Sequence, residues 1–168
     1  MILGFSTKFP KGKGTLSEKP TRFPEKIISS LDIETFKKLT QFDLLAETQE
    51  EKDWLNVSDF LEIKPKLHTI RRDTKNRWKA GNKIHFSIGV RTKKQYQFAP
   101  VLKCVSIQDI EIRNDNGMVG VSIDNKELNA FEIIKLSIND GFDSVEDFFE
   151  WFNEDFKGKI IHWTDLTY

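Results

Sequence analysis

The chain has 168 residues, enough to bury a core without disulfides or bound metal. Lys+Arg and Asp+Glu both number 26, so the formal net charge is zero and the chain is not a bulk polycation. The single cysteine, Cys104, excludes an internal disulfide framework and any multi-thiolate metal site. With 38% apolar residues, 14 Phe and 4 Trp, global disorder is excluded as well.

No apolar run approaches the ~20 residues of a membrane span. Met1-Ile2-Leu3-Gly4-Phe5 lacks the basic-then-apolar pattern of a signal peptide. The expected location is the cytoplasm, with no membrane partner. The zero net charge conceals a bipolar distribution. Residues 64–94 carry eleven Lys/Arg against one acid, Asp73, and residues 124–168 carry eleven acids against four lysines. Either the two blocks neutralise each other across the fold, or the first presents an attractive field to an anion.

In chain order, Ile2 to Phe9 reads as a short strand, followed by loop composition through Lys19-Pro20. Lys11-Gly12-Lys13-Gly14 lacks the strand–loop–helix frame and the Gly-Lys-Ser/Thr ending of a phosphate loop. Pro24 suits a first helical turn leading into Glu25 to Leu31. Residues 32–62 read as a helical insertion in two pieces. In the first, Ile33, Phe36 and Leu39 recur near a 3.6 period. From Lys83 the period changes to two: Ile84, Phe86, Ile88 and Val90 alternate with Lys83, His85, Ser87 and Gly89, the pattern of a half-buried strand. Pro100 to Arg113 predicts a second long strand with Val105 and Ile107 inside and a bulge near Gln108-Asp109. Asn114-Asp115-Asn116-Gly117 signals a hairpin into a third strand ending at Ile123. Two helices follow, Leu128–Ile138 and Val145–Phe152, the second capped by Asp143-Ser144, and Lys159 to Leu166 closes as a strand. The expected fold is one α+β domain over 1–168, a small curled sheet or barrel with flanking helices, its strands forming a single sheet.

The chemistry concentrates in Pro65-Lys66-Leu67-His68-Thr69-Ile70-Arg71-Arg72-Asp73 and Asn76-Arg77-Trp78-Lys79-Ala80-Gly81. A lysine amine beside a threonine hydroxyl is a base–nucleophile pair if burial or a neighbouring cation lowers the lysine pKa. Lys66 and Thr69 are that pair here; on an ordinary strand they are a solvated edge lysine and a β-former. Arg71, Arg72, Arg77, Lys79, Lys83 and Arg91 are candidate phosphate contacts, His68 joins the binding set, and Trp78, Tyr96 and Phe98 are candidate stacking faces. His68, His85 and His162 match no local metal spacing, so neither a metal site nor a cofactor is expected. The carboxylates at 143–155 fall on the wet face of an amphipathic helix beside Phe148, Phe149 and Phe152.

Lys66-x-x-Thr69-Ile70-Arg71, then Trp78-Lys79-Ala80-Gly81-Asn82 opening a strand, then Asn139-Asp140-Gly141-Phe142 before a helix, resembles the ASCH domain of the PUA-like superfamily. The likeness covers residues 1–9, 22–31 and 64–168, with 32–62 outside it. It implies a PUA-like β-barrel with a cleft suited to RNA or a modified nucleoside. Some similar proteins deacetylate acetylated cytidine with a Lys, a Thr and a Glu; others are ribonucleases or RNA-binding modules. Transferred to this chain, the resemblance makes Lys66 the base, Thr69 the nucleophile or its orienter and Asp140 the acid, with aspartate in place of the family's glutamate. Arg71 matches the motif arginine. The expected function is thus RNA or nucleoside binding, with hydrolysis of an amide on a modified cytidine, or action on RNA, as the reaction the resemblance implies. A non-catalytic RNA-binding module and a protein-interaction module docking through helix 143–156 are the alternatives.

Overall fold

Alternation in the stretch after Gly81 sets the first sheet. In a computed structural model, described over residues 1–31, 63–115 and 118–168, the strand β3 (Lys83–Ile88) buries Ile84 and Phe86 completely. Beside it lie β1 (Ile2–Phe5), parallel, and β4 (Tyr96–Gln97) and β5 (Leu102–Lys103), both antiparallel. Phe5 stacks on Phe86 at 6.0 Å between ring centroids, and Trp163 meets Phe86 edge-on at 5.2 Å.

The second sheet has five strands in the order β2-β9-β6-β7-β8, where β2 is His68–Arg71, β6 Ser106–Asp115, β7 Met118–Ile123, β8 Lys126–Glu127 and β9 Phe156–His162. All its pairings are antiparallel. Register places Ile70, Ile160, Ile110, Ile112, Val121 and Ile123 on one face, all buried. The helices α2 (Ala130–Asn139) and α3 (Val145–Trp151) cover that face through Leu136, Phe142, Phe148 and Phe152, with Phe152 against Phe156 at 5.0 Å. The other face is wet along β6 and β9. There Asp109 pairs with Lys159 (2.7 Å) and Glu111 with Lys157 (3.0 Å), each directly across the strands. At the β2 end this face meets the first sheet: an Arg71 guanidinium N–H donates to the Gly4 carbonyl (2.7 Å), and the group lies over the Phe5 ring.

The domain is mixed α+β, as expected, but the strands form two open sheets and not one curled sheet or closed barrel. The chain changes sheets between Cys104 and Val105. Cys104 N–H donates to the Asn82 carbonyl, whereas Val105 N–H donates to the His162 carbonyl, both at 2.8 Å. The break therefore falls before the bulge expected at Gln108-Asp109. Val105 turns outward at 43% exposure, Ile107 is only half-buried, and Ile110 and Ile112 are the residues inside. The N-terminal strand ends at Phe5 and the closing strand runs Phe156–His162, earlier than the expected 159–166. The helix α1 (Phe23–Ile28) carries Pro24 in its first turn. The helical insertion expected at 32–62 and the turn centre at 116–117 lie outside the described residues.

Candidate functional site

The end of α2 places the acid. Asp140 is its C-cap, Gly141 follows at φ +86°, Gly141 N–H donates to the Ile138 carbonyl (2.9 Å) and Phe142 N–H to the Ser137 carbonyl (3.1 Å). This double closure needs a left-handed residue after the cap, which glycine supplies, and an apolar residue after that, here the buried Phe142. The lysine is placed by the backbone on either side of it. Lys66 N–H donates to the Lys26 carbonyl of α1 and Leu67 N–H to the Asn139 carbonyl of α2, both at 2.8 Å.

These constraints bring Lys66 and Asp140 together. Lys66 Nζ donates to Asp140 Oδ1 at 2.7 Å and to the Asp140 backbone carbonyl, with the Phe23 ring 4.7 Å beneath it. Ile70 N–H donates to the same carboxylate oxygen at 3.2 Å. Lys66 is 0% and Asp140 4% exposed. Burial lowers the Lys66 pKa to about 8, against the opposing pull of Asp140 and with help from the nearby Arg71 and Lys26 charges. Burial alone would raise the Asp140 pKa, but Lys66 and His68 hold it below the ordinary carboxylate value. A buried ion pair with an amine titrating near neutrality can hold or move a proton.

The network continues from Asp140 to Tyr168. His68 Nδ1 lies 3.5 Å from Asp140 Oδ1, too far for a firm hydrogen bond. His68 Nε2 pairs with the Tyr168 hydroxyl at 2.7 Å, and that hydroxyl accepts from Asn139 Nδ2 at 2.9 Å. Because the carboxylate only accepts, the favoured tautomer carries its proton on Nδ1 and takes the Tyr168 O–H at Nε2. Burial lowers the His68 pKa. His162, across the β2–β9 register from His68, has its ring centroid 5.3 Å away, is 0% exposed, and leaves both ring nitrogens without a partner. Burial and the His68 charge lower its pKa to about 3.

No family model, curated protein or solved structure matches this chain.

Of the three residues the ASCH resemblance makes catalytic, the fold brings two together. Thr69 is buried, but alternation along β2 sends it to the face opposite His68 and Ile70, toward Ile161 and away from Asp140. Two surface concavities of about 320 and 470 Å³ are lined by residues such as Asp73, Asp109 and Lys157 in one and Phe5, Lys8 and Gly89 in the other; Lys66 and Asp140 line neither.

The binding candidates divide in the same way. Arg72, Arg77, Lys79, Lys83 and Arg91 are exposed. Arg71 is half-buried and committed to Gly4 and Phe5, so it braces the two sheets. Trp78 is 6% exposed, its N–H held by Asp73 Oδ2 at 2.8 Å, and offers no free stacking face; Phe98 is buried too. His68 is fully buried beneath Tyr168, where no ligand at the surface touches it. The sequence offered His162 only as a metal-ligand candidate and gave no sign of Tyr168. The register that opposes His68 to His162 joins distant parts of the chain, and no local spacing encodes it.

Proposed function

We propose that this chain is an RNA- or nucleoside-binding domain of the ASCH type, with a PUA-like architecture whose barrel is left open. One observation carries the reading: among the described residues, the acidic 124–168 block does not neutralise the basic one. Among the described residues, Asp140 is the only acid of the 124–168 block paired with a group from 64–94, through Lys66 and His68. The other acids of that block found in ion pairs join cations outside the basic stretch, as in Arg113–Glu127, Lys126–Glu132 and Lys26–Asp143.

Arg72, Lys75, Arg77, Lys79 and Lys83 lie before and at the start of β3, and Arg91, Lys93 and Lys94 beyond its end, all exposed. β3, which the two groups flank, is ~17 Å long at the usual rise per strand residue. Such a span suits the repeating charge of an extended single strand better than one small anion. Within the first group, the turn into β3 is closed twice: Asn82 N–H donates to the Lys79 carbonyl (3.1 Å) and the Asn82 side-chain oxygen accepts from Lys79 N–H (2.9 Å). Affinity for a short single-stranded RNA is expected to fall steeply with salt, as neutralised phosphates release counterions. Arg77→Ala/Lys79→Ala is expected to weaken binding to all sequences alike and to flatten that slope. Unchanged affinity and slope in a folded double variant would overturn the reading.

Hydrolysis of an acylated nucleoside is the second reading, and the buried Lys66–Asp140 contact favours it. It predicts release of acetate from N4-acetylcytidine by the wild-type chain and none by Lys66→Ala. With Thr69 on the opposite face of β2, the attacking group in this reading is a water activated by Lys66, not the threonine hydroxyl.

A further inference from the structure

His162 is the anomaly of the core. A fully buried imidazole with both nitrogens unpartnered forgoes hydrogen bonds that water would supply, a cost that folded proteins ordinarily avoid. Its neighbour is the Tyr168 ring, 6.2 Å away between centroids. That ring also stands edge-on to His68 at 5.4 Å, with its hydroxyl between Asn139 and His68. Tyr168 itself is only half-buried. The segment after β9 that carries it is held by a few side-chain hydrogen bonds and belongs to no helix or strand. The Gln108 side-chain amide brackets the Tyr168 backbone, accepting from its N–H and donating to its carbonyl, each at 3.0 Å. Thr164 Oγ1 donates to the Leu67 carbonyl at 3.2 Å.

We propose that the space lined by His68, His162 and Asn139 is a binding site for a pyrimidine base, and that the Tyr168 side chain is its removable plug. The inference rests on the nucleoside-binding reading above and names the site and base class for it. A phenol ring is a partial mimic of a pyrimidine. Both are six-membered planar rings with an oxygen at one edge, and the oxygen can take the Asn139 amide proton. A pyrimidine adds what the phenol lacks: ring nitrogens and an exocyclic group able to donate or accept where the His162 nitrogens are bare. A neutral imidazole offers one donor and one acceptor, matching either cytosine or uracil. A purine exceeds the space one tyrosine ring vacates. Through His68 the bound base would sit one residue from the Asp140–Lys66 pair.

The test is calorimetric titration of cytidine, uridine, adenosine and p-cresol into the full chain and its Tyr168→Ala and Tyr168→Phe variants. Cytidine or uridine is expected to bind Tyr168→Ala at least tenfold more tightly than wild type. Tyr168→Phe, which keeps the ring but drops both hydroxyl bonds, is expected to lie between. p-Cresol, isosteric with the lost side chain, is expected to fill the Tyr168→Ala site and to compete with cytidine, and adenosine to bind weakest. If Tyr168→Ala does not fold, the Tyr168→Phe comparison decides alone. Wild type binding pyrimidine nucleosides no more weakly than the variants would overturn the plug and leave the nucleoside reading standing. Failure of every nucleoside on all three proteins, with p-cresol still filling the Tyr168→Ala site, would overturn the nucleoside reading and the proposal with it.

Discussion

Lys66 and Asp140 illustrate how a buried charge pair behaves. Each alone would be ruinous where it stands, because transfer of an unpaired ion out of water costs several kcal/mol. Together they satisfy one another, and Ile70 N–H and the Asp140 carbonyl take up further hydrogen-bonding capacity. Lys66→Met and Asp140→Leu are each expected to cost about 3–5 kcal/mol in urea unfolding, since each strands its partner. The double variant is expected to regain most of that loss or to exceed wild type; additive losses would count against a mutually dependent pair. Titration gives a second signature. The Lys66 pKa of about 8 lies below its ordinary value of 10.5, so between those pH values the unfolded chain binds more protons than the folded one. The Lys66 contribution to stability therefore rises with pH through that window. That rise is expected in wild type and absent from the double variant.

At the level of elements, the corner after α2 does the placing. Gly141 has φ +86°, and a Cβ there would sit 3.0–3.2 Å from the Lys66 side-chain carbons. Gly141→Ala is expected to cost about 1–3 kcal/mol, combining left-handed strain with displacement of the lysine stem. Its distinguishing readout is a changed Lys66 titration by NMR, which strain at a remote glycine would not produce. Asp140-Gly141-Phe142 entered through the ASCH resemblance, although a glycine followed by an apolar residue is also a local helix-stop signal. Legible from the residues themselves was the alternation that builds β3, Ile84 and Phe86 against polar residues, and so was the Ser144 cap of α3, whose side chain accepts from Asp147 N–H at 3.1 Å. What resisted reading depends on contacts between distant segments. The sheet change at Cys104–Val105 sits inside a continuous apolar run, so periodicity reports one strand where the hydrogen bonds make two. Trp78 looks like a ligand platform beside four cations, yet its fate is decided by a core that local composition does not describe.

For the molecule as a whole, the polar cluster inside an otherwise apolar core sets a lower pH limit. His162 stays neutral in the fold down to about pH 3, whereas in the unfolded chain it takes a proton near 6.5. Between these values the unfolded state binds more protons, so stability falls as pH falls through the window. His68, lowered for the same reason of burial, acts in the same direction. Asp140 joins below the ordinary carboxylate value of 3.8, where the unfolded chain takes up a proton that the folded carboxylate, held by Lys66 and His68, still refuses. Acid unfolding is thus expected to begin below about pH 6.5. His162→Phe is expected to flatten the dependence of the urea midpoint on pH between 6.5 and 4. An unchanged slope would mean that the imidazole is not the group responsible.

The strand order carries a consequence for how the molecule comes into being. Among the described residues β2 has one strand neighbour, β9, and β1 pairs with β3 in parallel, so there neither early strand has a partner nearby in the chain. Forming such contacts requires closing long loops first, which slows folding. On a ribosome, the segment bearing Lys66 and His68 emerges long before the β9 residues that must flank it. The charge pair and the paired imidazoles are consequently among the last features to assemble. Refolding followed by Trp163, which packs on Phe86 immediately after β9, is expected to report that final closure.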